Sequence, residues 1–406
     1  MDPIEWFVRL CGEVGNYTKR ITGVSIVDAY SGPAELAPER QPDNSEPEYL
    51  FHSLESLMDL IQDDSEFSLR RDYINGEIKS LMNVVKWLSG ESIAYPELVK
   101  GLFQIEIKRF SESEIKKHIS ILEDVISSFP GETTREKVLN FSKEGEIKGD
   151  ELKSLLENDL QKKAIEVGQL FKDKVYSVLG QSVTDNGVDY EAVTDKPWSG
   201  YNWYQGGFKS LNEFNVDRSF SRDSLLSVIY HEYEHHVSNL WREQRYIDTQ
   251  NLELSIVPLH TGRCVISEGT ADTAKDFLGV SENNPRMKVV SALYVIRRMT
   301  SINAAIMLNH EGNTIQDALD YMVHTGIQTE KTAKGSIDFI GATQADGTPN
   351  IWAPYVFTYY IGRTDFVKPT FAKAVEKNAL KEFYRTLYLN PYSGSSVTWE
   401  KAFEWL

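Results

Sequence analysis

The sequence predicts a mainly α-helical protein, and three observations support this fold class. Apolar residues recur at helical spacing through most of the chain. Capping residues and Pro or Gly residues bound these periodic stretches, as they do at helix ends. Residues 180–220 are different, because they are rich in Gly, Asn, Tyr and Trp and their periodicity is not helical. We therefore expect an N-terminal helical region, a small β element and a second helical region.

The N-terminal region is predicted to consist of helices separated by proline-marked loops. An apolar stripe begins at Trp6, and Ser111 with Glu114 forms a capping box before another stripe. The segment Asp28 to Pro33 is expected to be a helix end followed by a turn. The predicted segments are, in order, a helix from about residue 6, a loop over 33–47, helical pattern over 47–90, a helix after Ser111, a break at Pro130-Gly131 and a long helix over 150–179.

The C-terminal region begins with the β element and continues as helices. We place the boundary near residue 180, which gives an N-terminal helical region over 1–180 and a second region over 181–406. A loop rich in Gly, Thr and Asp is expected over 330–350. The remaining predicted segments are extended chain at 192–193 and 209–215, and helices over about 222–243, 265–278, 284–309, 314–325, 352–377 and 380–387.

Composition narrows the possible partners and the cellular compartment. The net charge is −17, and a field of this sign repels the phosphates of nucleic acids and anionic lipids. The sequence lacks an apolar run of about 18 residues, so a membrane partner is not expected. Two cysteines and a start without a basic, apolar leader predict a reducing, cytoplasmic location.

A His-Glu-x-x-His motif carries the chemical information in this sequence. It consists of His231, Glu232 and His235 in a stretch without Pro or Gly from Ser221 to Trp241. On a helix, residues four apart lie on one face, so both imidazoles can reach one metal ion. Glu232 projects beside that pair, where it can hold a water molecule. The pattern predicts a metal-dependent hydrolytic site.

A second motif downstream supplies the missing ligand. Glu268 and Asp272 form a Glu-x-x-x-Asp pair at helical spacing, 33 residues after His235. Glu268 can complete the metal site, and Asp272 can accept the free ring N–H of a ligating histidine and fix its tautomer. The gap is long enough for a connection and a second helix.

This donor set predicts one Zn²⁺ ion and an activated water. Two neutral imidazoles and one carboxylate, with a position left for water, are typical of catalytic rather than structural zinc sites. Zinc lowers the pKa of bound water and polarises a carbonyl oxygen. Glu232 would act as general base and pass the proton to the leaving amine. The expected substrate is a peptide or a small amide.

The two motifs resemble those of the gluzincin zinc metallopeptidases. More of the chain is similar to a helical branch of largely uncharacterised bacterial and archaeal proteins related to oligopeptidases and Taq-type carboxypeptidases. This chain has Tyr233-Glu234 where that branch often has Pro-Gly. The difference leaves the metal ligands intact, but the substrate class of that branch does not transfer directly to this chain. The stretches that carry the resemblance are Val27 to Pro33, His231 to His236, Glu268 to Ala271 and Tyr359 to Arg363.

The resemblance implies a zincin-like catalytic half and further site residues. A tyrosine would donate to the oxyanion that develops on the substrate; Tyr359 matches best, with Tyr355 and Tyr360 as alternatives. Arg363 would bind a substrate carboxylate. Residues 206–215 would form an edge strand that hydrogen-bonds a peptide backbone.

Two alternatives remain beside the metallopeptidase hypothesis. The chain could bind zinc and peptides without turnover, or it could hydrolyse a non-peptide amide. Glu232 favours catalysis, because a degenerate member would usually have lost the general base. A di-iron site would need a second Glu-x-x-His besides Glu232 and His235, and the sequence has none. His236 is expected to pack beside the site, since it lies about 100° around the helix from His235.

Overall fold

The computed structural model describes residues 2–62, 68–196 and 199–406, and the fold is mainly α, as the sequence predicts. In the N-terminal part, Asp2 caps the first helix by accepting hydrogen bonds from the backbone of Ile4 and Glu5. The predicted capping box at Ser111 and Glu114 is present. The elements of this part are α1 (Pro3–Thr22), β1 (Val27–Tyr30), α2 (Pro47–Gln62), α3 (Ser68–Leu88), α4 (Tyr95–Phe103) and α5 (Glu112–Ile126). Residues 63–67 of the predicted 47–90 pattern lie outside the described residues.

The long helix predicted over 150–179 is confirmed, with two wider π-type segments inside it. It ends at Gly180, whose φ of 72° is accessible to glycine without a steric penalty. The elements of this middle part are α6 (Thr134–Glu144), β2 (Glu146–Ile147), α7 (Gly149–Ser154), a π segment (Leu155–Leu160), α8 (Gln161–Phe171), a second π segment (Lys172–Tyr176) and α9 (Ser177–Leu179).

The β element is a mixed three-stranded sheet of β3 (Val188–Val193), β4 (Gly200–Gly206) and β5 (Lys209–Asn215), followed by β6 (Phe220–Ser221). Its order is β3-β5-β4, with β5 parallel to β3 and antiparallel to β4. The expectation that residues 206–215 form an edge strand is therefore wrong. Because β5 pairs on both sides, its backbone groups are not available to a peptide.

The C-terminal part supplies the helices that carry the two motifs. One expectation was wrong here: α14 lies within the predicted 330–350 loop, and Thr329 caps it by accepting from the backbone N–H of Thr332. The elements are α10 (Arg222–Thr249), β7 (Ile256–Pro258), α11 (Gly262–Phe277), α12 (Pro285–Asn309), α13 (Ile315–His324), α14 (Glu330–Ile340), α15 (Val356–Ile361), a π segment (Gly362–Val367), α16 (Lys368–Glu376), α17 (Leu380–Leu389) and α18 (Trp399–Ala402).

A short antiparallel ladder joins the N-terminal helices to the connection between α10 and α11. The segment Asp28 to Pro33, expected as a helix end and turn, starts within β1, which pairs with β7. Arg242 of α10 fixes the same connection, because its guanidinium donates to the carbonyl oxygens of Leu254 and Ile256, each at 3.0 Å. These contacts set the path by which the chain returns from α10 to α11.

Two large apolar clusters lie on opposite sides of α11. The first joins α1 to α4 with α12 and α15, and it includes Val265. The second surrounds α8, α10 and α17, and it includes Ile266. Neighbouring residues of α11 thus face different clusters, which holds the helix between them.

The domain boundary that the sequence predicts near residue 180 stays a prediction. Among the described residues, every helix is too short or too polar to cross a membrane.

Candidate metal centre

The first part of the site is the face of α10 that meets α11. Ser221 begins α10 by accepting a hydrogen bond from the backbone N–H of Ser224 at 3.3 Å. His231 and His235 follow one turn apart, and their Nε2 atoms lie 3.1 Å from each other. Their side chains are 13% and 18% exposed, so the pair is mostly covered but still in contact with solvent.

The second part is Glu268, which α11 holds close to both histidines. Its Oε2 atom lies 3.3 Å from Nε2 of His231 and 3.6 Å from Nε2 of His235. One ligand atom from each of the three side chains lies within 4.8 Å of the others. The structure thus brings the three predicted ligands together.

Hydrogen bonds on the far side of each imidazole orient the rings. Nδ1 of His231 is 2.7 Å from Oδ1 of Asp272, and Nδ1 of His235 is 3.2 Å from Oγ of Ser267. A carboxylate oxygen can only accept, so Nδ1 of His231 carries a proton. The Nε2 lone pair of a neutral His231 then faces Glu268, which is the orientation that metal ligation requires.

The charges of the cluster favour a cation at its centre. Burial opposes ionisation of Glu268, but hydrogen bonds to the two histidines hold its pKa well below the usual range. Burial lowers the pKa of His231, yet the hydrogen bonds to Asp272 and Glu268 outweigh it and raise this pKa well above its ordinary value. The carboxylates thus stabilise positive charge, which a proton or a metal ion can provide.

The geometry and the donor atoms fit one tetrahedral zinc ion. With metal–ligand bonds of about 2.0–2.1 Å, ligand atoms in a tetrahedron lie roughly 3.3 Å apart. The three separations of 3.1, 3.3 and 3.6 Å agree with this value. Oε2 of Glu268 is also buried, and the Nε2 atoms of the two histidines face it without a hydrogen bond of normal geometry. Such an atom is costly to bury unless something positive contacts it.

Tyr355 acts on the ligand carboxylate. Its buried hydroxyl donates to Oε1 of Glu268 at 2.9 Å, which leaves Oε2 to face the histidines. The ring of Tyr359 stacks on His231 with centroids 6.3 Å apart, and the guanidinium carbon of Arg298 lies 3.9 Å from the centroid of the Tyr359 ring. Among the described residues the Tyr359 hydroxyl has no hydrogen-bond partner, so it can donate to another group.

Two of the expected substrate-binding residues have structural contacts. The ring of Tyr360 packs edge-on against Phe110 with centroids 5.3 Å apart. Arg363 donates to Oδ2 of Asp276 at 3.0 Å and so forms an ion pair on α11. Their predicted roles towards substrate stay predictions.

His236 points away from the metal ligands and anchors the β element. Its fully buried ring lies between Oγ of Ser210 on β5, at 2.8 Å, and Oδ1 of Asp185, at 3.1 Å. Burial opposes ionisation of Asp185, but the hydrogen bond and charge of His236 together with hydrogen bonds from the Gly187 backbone and Tyr233 outweigh it and hold this pKa at about 2. The sheet is therefore attached directly to the helix that carries the histidines.

Sequence reasoning missed several residues that support the site. Tyr294 and Arg298 of α12 lie behind it, and the Tyr294 hydroxyl donates to Oδ2 of Asp272. Buried Glu234 accepts from Thr270 of α11 at 2.9 Å and from Tyr388 of α17 at 3.2 Å. The Tyr-x-x-x-Arg spacing of Tyr294 and Arg298 is a weak sequence signal for a site, because many helices have such a pair. Only tertiary contacts single these residues out.

Comparison with known proteins gives structural likeness but no family. No family model matches the chain, and no curated protein matches it. A solved structure from Colwellia psychrerythraea has a TM-score of 0.53 at 14% identity, covering 89% of this chain and 67% of that one. One from Shewanella oneidensis, of unknown function, has a TM-score of 0.47 at 12% identity, with coverages of 87% and 71%. Each is described as a "putative lipoprotein".

These findings correct two predictions from the sequence. Membership of the gluzincin metallopeptidases is wrong, because the Colwellia protein that shares the fold carries another description and no family model supports it. The cytoplasmic location is also wrong on the same comparison, since that protein is described as a putative lipoprotein. At 14% identity the likeness to the Colwellia protein concerns the fold alone. The site must therefore be judged by its own geometry.

Proposed function

We propose that this protein is a zinc-dependent hydrolase that cleaves short peptides, with Glu232 as general base. The observation that carries the proposal is the convergence of His231, His235 and Glu268, whose ligand atoms lie within 4.8 Å of one another. Two imidazoles and one carboxylate leave a fourth position for solvent, as in catalytic zinc sites.

The side chains around the ligands supply the remaining steps. Bound zinc would lower the pKa of a coordinated water and polarise the substrate carbonyl. Glu232, next to His231, takes the proton as the water attacks and then delivers it to the leaving amine. The Tyr359 hydroxyl donates to the oxygen that becomes negative in the transition state.

The enclosure of the site supports short peptides as substrates. The two histidines are mostly covered, and a cavity of about 310 Å³ adjoins Glu232. Side chains covered to this extent are more accessible to an extended peptide than to the backbone of a folded protein.

The Glu232→Gln variant tests the catalytic role. We expect it to bind one zinc ion per chain, as the wild type does, because Glu232 is not a ligand. Hydrolysis of a mixed peptide pool should fall by about 10²–10⁴-fold, since the variant lacks the proton acceptor. Elemental mass spectrometry measures the zinc content of each protein, and mass spectrometry of the peptide pool measures cleavage.

A second variant separates metal binding from base catalysis. Glu268→Gln should lose zinc and activity together, because an amide is a poor zinc ligand. Zinc binding by a wild type that cleaves no peptide would contradict the proposal and favour a non-catalytic binding protein. Cleavage of simple amides but not peptides would instead identify a non-peptide amidase.

A further inference from the structure

A cavity beside the general base lies between the three-stranded sheet and α10. Its volume is about 310 Å³, and Glu232 forms part of its wall. Apolar side chains form much of the remaining surface, including Phe214, Leu225 and Val228. The cavity thus adjoins the place where the scissile bond of a substrate must lie under the proposed function.

Two asparagines from neighbouring strands add hydrogen-bonding groups to this cavity. Asn202 of β4 and Asn212 of β5 are direct partners in the antiparallel ladder, so their side chains project from the same face of the sheet. Both line the cavity. The carboxamides therefore lie side by side, on the same wall.

The protein satisfies these carboxamides only in part. Asn212 is 1% exposed and its side chain interacts with the Tyr190 hydroxyl, but neither Nδ2 nor Oδ1 has a hydrogen-bond partner of normal geometry among the described residues. Nδ2 of Asn202 also lacks one there. Buried polar atoms in folded proteins nearly always have a partner, so unpaired atoms on a cavity wall point to a ligand that supplies it.

The chemistry of the wall selects a neutral ligand group that both donates and accepts. Asn212 offers one donor and one acceptor, and Asn202 offers a second donor. Among the described lining residues Glu232 alone is charged, and it would repel a carboxylate. A cationic group would pair with Glu232 and hinder its action as a base. A carboxamide is neither repelled by Glu232 nor paired with it as an ion, and it presents the complementary donor and acceptor.

We propose that this cavity is a specificity pocket for an asparagine or glutamine side chain adjacent to the scissile bond of the substrate. The substrate carboxamide pairs with Asn212 and accepts a further hydrogen bond from Asn202, while its methylene groups pack on the apolar wall. This inference rests on the proposed function, and it names the substrate class for the same site.

The experiment compares matched peptides that differ at one position. Zinc-loaded protein is given peptides with Gln or with Met, which has a similar size, at each position flanking the cleaved bond. We expect kcat/KM to be about tenfold higher for Gln at one of these positions, the effect of one or two hydrogen bonds. In Asn212→Leu this ratio should fall to about one, because the hydrogen bonds that favour Gln over Met are lost.

Stability and a matched control separate specificity from folding. Asn212→Leu should unfold at the same or a higher denaturant concentration, because it removes unpaired polar atoms from a buried site. Asn158→Leu, the same change at an exposed position on the π segment Leu155–Leu160, should keep the tenfold ratio. Equal cleavage of Gln and Met peptides by the wild type would overturn the pocket and leave the proposed function standing.

Binding measurements decide the case in which no peptide is cleaved. That result would overturn the proposed hydrolase, and the pocket is then tested by calorimetry with the same Gln and Met peptides. Tighter binding of the Gln peptide, lost in Asn212→Leu, would support the pocket. Equal or absent binding would overturn it.

Discussion

At the residue scale, the hydroxyl of Tyr355 determines how Glu268 faces the histidines. It donates to Oε1 at 2.9 Å, so Oε2 remains as the atom near both Nε2 positions. Groups that orient a metal ligand commonly contribute 10–100-fold to metal affinity. Tyr355 is thus a positioning residue, distinct from Tyr359, whose hydroxyl remains available to substrate.

We therefore predict that Tyr355→Phe weakens zinc binding by about tenfold, because the ligand carboxylate loses a fixed orientation. Competition with a chromophoric chelator measures the affinity. Tyr49→Phe, the same change at an exposed position, serves as the control and should bind zinc as the wild type does. Unchanged affinity in Tyr355→Phe would contradict the positioning role.

His260 gives the fold a pH dependence that is independent of the metal ligands. Its ring is buried, Nε2 donates to the carbonyl oxygen of Ile351 at 2.6 Å, and Nδ1 has no partner among the described residues. Burial lowers the pKa of His260 to about 4, against about 6.5 in an unfolded chain. As the pH falls from about 6.5 to 4, the unfolded chain binds a proton that the folded one does not. Stability is lost over that window.

We predict that His260→Asn reduces this loss. Asn tolerates the left-handed backbone at this position, where φ is 60°, and it does not bind a proton in this pH range. The wild type should lose up to about 3 kcal/mol more than the variant between pH 6.5 and 4. Urea unfolding with a chelator present measures both free energies. Parallel pH profiles of the two proteins would exclude His260 as the source.

At the element scale, two glycines allow α11 to contact the π segment Gly362–Val367 closely. A Cβ atom on Gly362 would lie 2.0 Å from the carbonyl oxygen of Val265, and one on Gly269 would lie 2.5 Å from the carbonyl carbon of Gly362. The closest atoms are backbone, so a side chain at either position must displace a helix. Glu268 directly precedes Gly269, so this packing also determines how close the Glu268 carboxylate lies to the two histidines.

We predict that Gly362→Ala lowers the free energy of unfolding by about 1–3 kcal/mol and weakens zinc binding, because it separates α11 from its neighbour. Gly335→Ala is the matched control. It lies in α14 with open space around it and should raise stability by about 0.5–1 kcal/mol. Denaturant titration compares both variants with the wild type. Equal free energies of unfolding for Gly362→Ala and Gly335→Ala would show that the contact between α11 and the π segment tolerates a side chain.

At the scale of the whole molecule, the site lies where the two large apolar clusters meet. α11 contributes Val265 to one and Ile266 to the other, while the ligand helix α10 packs in the second. A metal bound by α10 and α11 links these helices more firmly to each other. Ligands that bind only the folded state stabilise it by mass action.

Removal of the metal should therefore destabilise the whole chain. At a free zinc concentration of 100 times Kd, the wild type should gain about 2.7 kcal/mol over the chelated protein. Thermal unfolding with zinc and with chelator measures the difference. In the Glu268→Ala variant, the difference in stability between zinc and chelator should be much smaller. An equal gain in that variant would mean that zinc acts elsewhere on the protein.

The sequence by itself determined the fold class and which residues could form the site. Helical periodicity extends over most of the chain and depends on neighbours three or four residues apart, so α10, α11 and the 149–179 helix were predictable. The ligand spacing on α10 is likewise local. Strand pairing is not local, which is why β1, the pairing of β7 and the central position of β5 were missed.

Only the tertiary structure decided how these local pieces work together. It brought Glu268 to the histidines, turned the Tyr355 hydroxyl onto that carboxylate and placed Asn202 beside Asn212 near Glu232. Contacts between residues far apart in sequence depend on how whole elements pack, and periodicity does not encode that packing. The sequence thus identified the candidate ligands, whereas the packing of α11 and of the sheet determined how they are arranged.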